Sequence, residues 1–195
     1  YIWSQLNLKK LFVVKPIIIL DFKNSLNREQ NFTVFHGRKL AKSLFFNIQY
    51  AILHSPGYFI NEQTSHQNMT VSLHYFNEKN RYHTSFAYYR NVLKAGENGG
   101  LDTTSQYDDD VFFKFANHKL HVSGYLFEQN LKFIRLSSAD SLTKRYLFRL
   151  NHSFHYQKNY VLFSDLPPYN YYSQFYFNPS KTNDSTYYST FVNNL

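Results

Sequence analysis

The feature that most constrains this chain is strict alternation of apolar and polar residues over long stretches. From Arg145 to Gln157, one residue set reads Tyr146, Phe148, Leu150, His152, Phe154 and Tyr156. The other reads Arg145, Arg149, Asn151, Ser153, His155 and Gln157, with Leu147 the one exception. A period of two puts the two sets on opposite faces of a β-strand. Strands of soluble sheets run to about 5 or 6 residues. This one is longer, and it matches the roughly 9–11 residues that a tilted strand needs to cross a bilayer, plus an extension.

Three more segments repeat the pattern. Ser43 to Ile52 places Leu44, Phe46, Ile48, Tyr50 and Ile52 on one face. Asn68 to Tyr75 places Met69, Val71, Leu73 and Tyr75 opposite Thr70, Ser72 and His74. Tyr82, Thr84, Phe86 and Tyr88 oppose His83, Ser85, Ala87 and Tyr89, and the polar run Asn77-Glu78-Lys79-Asn80-Arg81 between these two segments predicts a β-hairpin. Less regular strands are expected over Leu11 to Phe22, Asn31 to His36, Leu120 to Leu136 and Tyr187 to Leu195, with His36-Gly37-Arg38-Lys39 as a turn. Pro16 argues against an interior strand through the first of them.

Connection lengths carry a second signal. Short connections are expected around Gly37 to Lys42, Asn77 to Arg81 and Ser137 to Lys144. Longer polar ones are expected at Lys23 to Gln30, Ser55 to Gln67, Ala95 to His118 and Asp165 to Thr186. Short and long alternate, as the turns at one end of an outer-membrane barrel alternate with the loops at the other. The expected fold is therefore all-β: an antiparallel up-and-down meander of seven or eight strands, forming part or all of a transmembrane β-barrel. Residues 1–195 are read as one barrel segment, and the mid-pattern starts and stops at Tyr1 and Leu195 suggest a piece of a longer barrel.

Composition supports strands and removes some chemistries. Aromatic residues make up 20% of the chain, with 18 Tyr and 20 Phe, which suits pleated surfaces. There is no Cys, so disulfides, thiolate zinc sites and a Cys nucleophile are excluded. The longest apolar stretch, Leu11 to Leu20, is broken by Lys15 and Pro16. It falls short of the roughly 18 residues of a membrane-spanning helix. The formal net charge of +8 raises the alternative of a soluble β-barrel binding nucleic acid through basic and aromatic side chains, or binding a carbohydrate. The basic residues are scattered, however, with no block of five or more like charges, so no nucleic acid is expected.

Several segments resemble a known family. They are Ser55-Pro56-Gly57-Tyr58-Phe59 followed by Gln63-Thr64-Ser65-His66, then Asn80-Arg81-Tyr82, then Leu93-Lys94-Ala95-Gly96-Glu97-Asn98-Gly99-Gly100-Leu101. A further stretch is Leu150-Asn151-His152-Ser153-Phe154-His155-Tyr156, with Tyr172 and Lys181-Thr182-Asn183-Asp184-Ser185-Thr186 after it. Together they resemble the putative porins of Bacteroidetes from about residue 31 onward. The resemblance implies an outer-membrane barrel of a Gram-negative bacterium, longer than this chain, with a porin-like or transport role. It brings no catalytic, cofactor or metal residues with it.

The remaining candidates for chemistry have plainer readings. Asp108-Asp109-Asp110 lacks the ligand spacing of an EF-hand and reads as a solvated loop. Glu97-Asn98-Gly99-Gly100 has no Lys-Ser/Thr and reads as a tight turn that needs positive φ. His152 and His155 fall on opposite strand faces and do not share a metal. No Gly-x-Ser-x-Gly elbow occurs. The chain is expected to be no enzyme and to use no cofactor. Its expected partners are outer-membrane lipid, the remaining strands of the same barrel and small hydrophilic solutes. The candidate pore-lining residues are Arg145, Arg149, Asn151 and His155, and lumen-facing arginines would favour anions. A non-conducting outer-membrane scaffold that binds a partner through its long loops is the alternative within the membrane.

Overall fold

The computed structural model describes residues 15–25, 28–77, 81–102, 110–136, 145–165 and 182–195, with the backbone alone at 134–136, 145–147 and 182. Eight strands follow in chain order: β1 (Ile17–Asn24), β2 (Gln30–Ala41), β3 (Leu44–Ser55), β4 (Thr64–Phe76), β5 (Tyr82–Gly96), β6 (Asn117–Leu136), β7 (Arg145–Asp165) and β8 (Thr182–Asn194). They form one sheet in the order β1-β2-β3-β4-β5-β6-β7-β8. Every neighbouring pair is antiparallel, so the sheet is an up-and-down meander. Among the described residues no helix occurs and β1 does not pair with β8, so the sheet is open at both edges.

The registers set which residues share a face. One cross-strand row runs Ile48↔Val71↔Tyr88↔Tyr125↔Tyr156↔Phe191. The opposite face carries the row Gln49↔Thr70↔Tyr89↔Gly124↔Gln157↔Thr190. The sheet curls toward this second face, because its side chains are the buried ones: Phe35, Asn47, Ala51, His66, Asn68, Ser72, His74, Ser85, Ala87, Tyr89, Asn91, Val122, Leu126 and Asn159. Most are small or polar. The convex face is the apolar one, and it is exposed: Leu73 38%, Phe86 43%, Tyr125 45%. A soluble half-buried sheet has the reverse distribution.

Two glycines let the concave face close up. A Cβ on Gly124 would lie 2.5 Å from the Tyr156 carbonyl oxygen and 2.6 Å from Tyr89 Oη. Tyr89 thus reclines across Gly124. A Cβ on Gly37 would lie 2.9 Å from Asn47 Oδ1 and 3.1 Å from the Phe35 ring.

That second contact explains a departure from the sequence expectation. His36-Gly37-Arg38-Lys39 is strand, not turn: Gly37 pairs with Asn47 inside the β2–β3 ladder. The reversal comes later, at Lys42 and Ser43. Gly37 is there to receive the Phe35 ring, and glycine as packing space looks the same in sequence as glycine as a hinge. β5 runs on to Gly96, and Tyr89 points to the concave side with only 6% exposure.

The connections alternate in length as expected, although the first of the longer set is brief. Ser25–Glu29 joins β1 to β2 through Ser25 N–H to Glu29 O at 3.0 Å and Arg28 N–H to Ser25 O at 3.1 Å, with Arg28 at φ 60. The 97–116 connection prolongs the β5–β6 hairpin: Glu97 N–H donates to Ala116 O at 2.9 Å and Phe113 N–H to Asn98 O at 2.9 Å. Gly99 and Gly100 hold the expected positive φ, 67 and 91. Residues 11–14, 78–80, 108–109, 137–144 and 172 lie outside the described residues, as does most of the 165–186 connection.

Candidate functional site: the concave face

The two faces of the sheet differ in chemistry. On the convex face an apolar band is bounded by aromatics. Near the short turns, Tyr75 and Tyr82 pack at 6.3 Å and Phe133 and Phe148 at 5.8 Å between ring centroids. Further along the strands, Tyr88 and Tyr125 pack at 5.2 Å. Arg90, Ser123 and Lys158 form the next row on this face, and Lys158 lays its Nζ 5.8 Å over the Tyr156 ring. From Phe148 to Tyr156 the band covers about 26 Å of strand at 3.3 Å per residue. At a tilt near 40° that is about 20 Å along the normal, close to the apolar height of outer-membrane barrels. Aromatic rings and snorkelling cations at the margins are what an interface selects. One polar row interrupts the band, Thr84↔Gln129↔His152. Two of its members are satisfied within the sheet: Thr84 Oγ1 donates to Glu128 O at 3.1 Å and His152 Nε2 lies 2.8 Å from Asn193 Oδ1.

The concave face carries hydrogen-bonding groups from end to end. At its centre Tyr89 spans two strands: its hydroxyl donates to Gln157 Oε1 at 2.8 Å and sits 2.6 Å from His155 Nε2. Gln157 Nε2 then donates to Asn159 Oδ1 at 2.7 Å. Toward the short turns, Ser85 Oγ donates to Glu128 Oε2 at 3.0 Å, and His74 and Ser72 meet at 3.1 Å. Asn130, Asn151 and Arg149 follow: Arg149 Nε donates to Asn151 Oδ1 at 3.1 Å, and the Asn130 amide abuts that of Asn151. This end opens into a cavity of about 690 Å³ lined in part by His83, Glu128, Asn130, Arg149, Asn151 and Ser153.

Toward the long connections, the rim is tied together. Asn61, at φ 53, donates its side-chain amide to the carbonyls of Glu97 (2.9 Å), Phe113 (3.1 Å) and Ala116 (2.8 Å). The β3–β4 loop is thereby locked onto the β5–β6 loop. Gly96 passes so close that a Cβ there would lie 2.5 Å from Asn61 O. Glu62 caps the same loop by accepting from Tyr58 N–H at 2.8 Å and Phe59 N–H at 2.9 Å. The donation from Phe59, then that from Tyr58, holds its carboxyl below the usual range.

A family profile described as "putative porin" matches residues 2–195. The chain belongs to the putative porin family. No curated protein and no solved structure matches it. For a porin-family chain, the inverted polarity of the sheet has a direct reading, apolar to the outside and polar to the inside.

The four residues singled out from sequence fare as follows. Arg149, Asn151 and His155 share the concave face, through the registers Lys132↔Arg149, Asn130↔Asn151 and Leu126↔His155. Arg145 opens β7 opposite Leu136, and its side chain lies outside the described residues. His152 is on the other face, so the two histidines are separated as their spacing requires. Sequence reasoning missed Tyr89, Glu128, Lys132 and Gln157. Alternation alone puts each on a face, but it takes the β5–β6–β7 register to bring them to Arg149, Asn151 and His155.

Proposed function

We propose that this chain acts in the outer membrane as a porin-like barrel wall, letting small hydrophilic solutes pass along the concave face without catalysing a reaction. The observation that carries the reading is the inverted polarity: His74 is 2% exposed on the concave side while Phe86 and Tyr125 stand out on the convex side. Amide atoms of Asn47, Asn68, Asn91 and Asn159 are buried there with no protein partner among the described residues. Each such group costs about 1–3 kcal/mol unless it is hydrated, so this face favours water and polar solutes. Family membership supports the same role.

Lipid is the partner of the convex band. The free edges of β1 and β8 call for strand partners, because an unsatisfied backbone group in hydrocarbon costs several kcal/mol. Further strands of the same barrel, or each other, meet that need. The test is reconstitution of the protein into liposomes, followed by swelling in solutions of graded sugars. Swelling that falls off with sugar size supports passage, and liposomes that behave as empty ones refute it.

The clamped rim favours a second reading, a non-conducting scaffold. Asn61 fixes two loops into one surface, which is how a partner-binding face is built. That reading predicts no swelling, together with loss of partner co-purification when residues 56–63 are deleted.

A further inference from the structure

On the convex face, cations gather beyond the aromatic margin on the side of the long connections. Arg90, Ser123 and Lys158 form the first row past Tyr88, Tyr125 and Tyr156. His121 stands in the second row, and in the third Lys94 faces Lys119 across the β5–β6 ladder. From β4 to β8 the described convex positions carry no Asp or Glu: Glu128, Asp165 and Asp184 all fall on concave positions. Arg90, Lys94, Lys119 and Lys158 therefore share one patch without a carboxylate. Like charges facing across a ladder, as Lys94 and Lys119 do, are destabilising on their own, and an anion from outside the chain relieves that cost. The first row forms a cradle. Arg90 Nε donates to His121 Nε2 at 3.2 Å, which fixes the guanidinium and leaves its two Nη groups for a ligand. That histidine nitrogen accepts, so the ring is neutral and adds no repulsion. Lys158 Nζ, 5.8 Å over the Tyr156 ring, is held at the aromatic margin. Arg90 and Lys158 are both exposed. Their backbones are about 10 Å apart, two strand spacings, with the Ser123 hydroxyl between them.

We infer that this cradle binds the phosphate of an anionic lipid headgroup. A guanidinium presents paired donors to phosphate oxygens, and an ammonium adds a point charge. Position selects a lipid over a soluble anion. The row borders the apolar band directly, so a lipid whose chains lie along Tyr125 and Phe127 sets its headgroup between Arg90 and Lys158. Lys94 and Lys119 lie further out and add to the local potential that draws anionic lipid. The inference rests on the convex face meeting lipid, as the proposed function has it, but not on conduction. It goes further by naming the lipid class and the residues that hold it.

The test is tryptophan quenching by brominated lipids. Trp3 is the chain's one tryptophan, so Trp3→Phe together with Tyr125→Trp gives a parent whose sole reporter lies next to the cradle. The full chain is reconstituted in phosphatidylcholine vesicles, and folding of each variant is checked by heat-modifiable gel migration. Dibrominated phosphatidic acid should reach half-maximal quenching at a mole fraction about 25-fold below that of dibrominated phosphatidylcholine, two cations at about fivefold each. Arg90→Gln and Lys158→Gln should each lower that preference about fivefold, and the double variant should show none. Lys39→Gln, a matched charge loss on the concave face, should behave like the parent. A preference that survives in the double variant overturns the site. Inorganic phosphate that removes the preference, where chloride of equal ionic strength leaves it, would mark a free-phosphate site and overturn the lipid assignment. Equal quenching of the parent by the two lipids refutes the site alone, whereas no quenching by either refutes the lipid-facing convex face on which it rests.

Discussion

Replacing Gly124 with alanine tests the packing of the concave face, and its cost can be worked from the structure. The new Cβ would lie 2.5 Å from the Tyr156 carbonyl oxygen and 2.6 Å from Tyr89 Oη. The phenol can swing away, but the carbonyl belongs to the β6–β7 ladder and cannot. Displacing Tyr89 loses its contacts with Gln157 and His155, at about 0.5–1.5 kcal/mol each. Overpacking against backbone adds about 1–3 kcal/mol. The expected total is about 2–6 kcal/mol. Tyr89→Phe, which removes only the hydroxyl, should cost about 1–3 kcal/mol by the same reckoning. In the double variant Tyr89→Ala/Gly124→Ala the phenol clash is gone, so the costs should fall short of additive, while the carbonyl clash keeps the protein below the Tyr89→Ala single variant. The assay is urea unfolding of the folded protein in lipid or detergent, followed by tryptophan fluorescence from Trp3 and by gel migration. Gly124→Ala as stable as the parent would refute the reclining-tyrosine account.

Phe154→Arg on the convex face should destabilise the inserted barrel by about 2–4 kcal/mol, while Ser153→Arg, one residue away on the concave face, should cost well under half of that; unfolding in lipid measures both. Asn61→Ala removes the amide that reaches three carbonyls, so amides of the β5–β6 loop that were protected, Glu97 and Phe113 among them, should exchange about tenfold faster by hydrogen exchange at unchanged global stability. Glu62 has its folded carboxyl pKa below its ordinary value of 4.5. The contribution is therefore present above that value and is lost as pH falls through the folded pKa. Protection of the Tyr58 and Phe59 amides, relative to their intrinsic exchange, should fall as pH drops through the lowered folded pKa of Glu62 in the parent, and Glu62→Gln should show no such fall.

How much of this was legible in the sequence follows from what periodicity can carry. Arg145 to Gln157 alternates because one face of the strand is apolar and the other polar over that whole length, and β7 begins where that pattern does. The pattern fades after Tyr89 because β5 leaves the apolar band there: Arg90 and Lys94 take convex positions beyond the aromatic margin, so the strand continues with no alternation to mark it. Gly37 shows the opposite failure, a turn signal spent on packing against Phe35. The polarity of the two faces was legible, but which face is concave was not, since aromatics occur on both. The site was legible only by halves. Arg149, Asn151 and His155 follow from one strand, whereas Lys132, Glu128 and Tyr89 join them through registers fixed by turns that local sequence does not dictate.

The central claim is that the convex face meets lipid and the concave face meets water. The chain has no cysteine, so single cysteines placed in turn from Thr84 to Val92 on β5 report each position cleanly. With the protein in liposomes, a water-soluble maleimide should label the variants at Ser85, Ala87, Tyr89 and Asn91. A nitroxide attached at Thr84, Phe86 or Tyr88 should be quenched by lipid-dissolved oxygen rather than by an aqueous nickel complex. Alternation of the two signals with period two is the predicted result. Uniform aqueous labelling along the strand, or alternation with Phe86 and Tyr88 on the water side, would contradict the account.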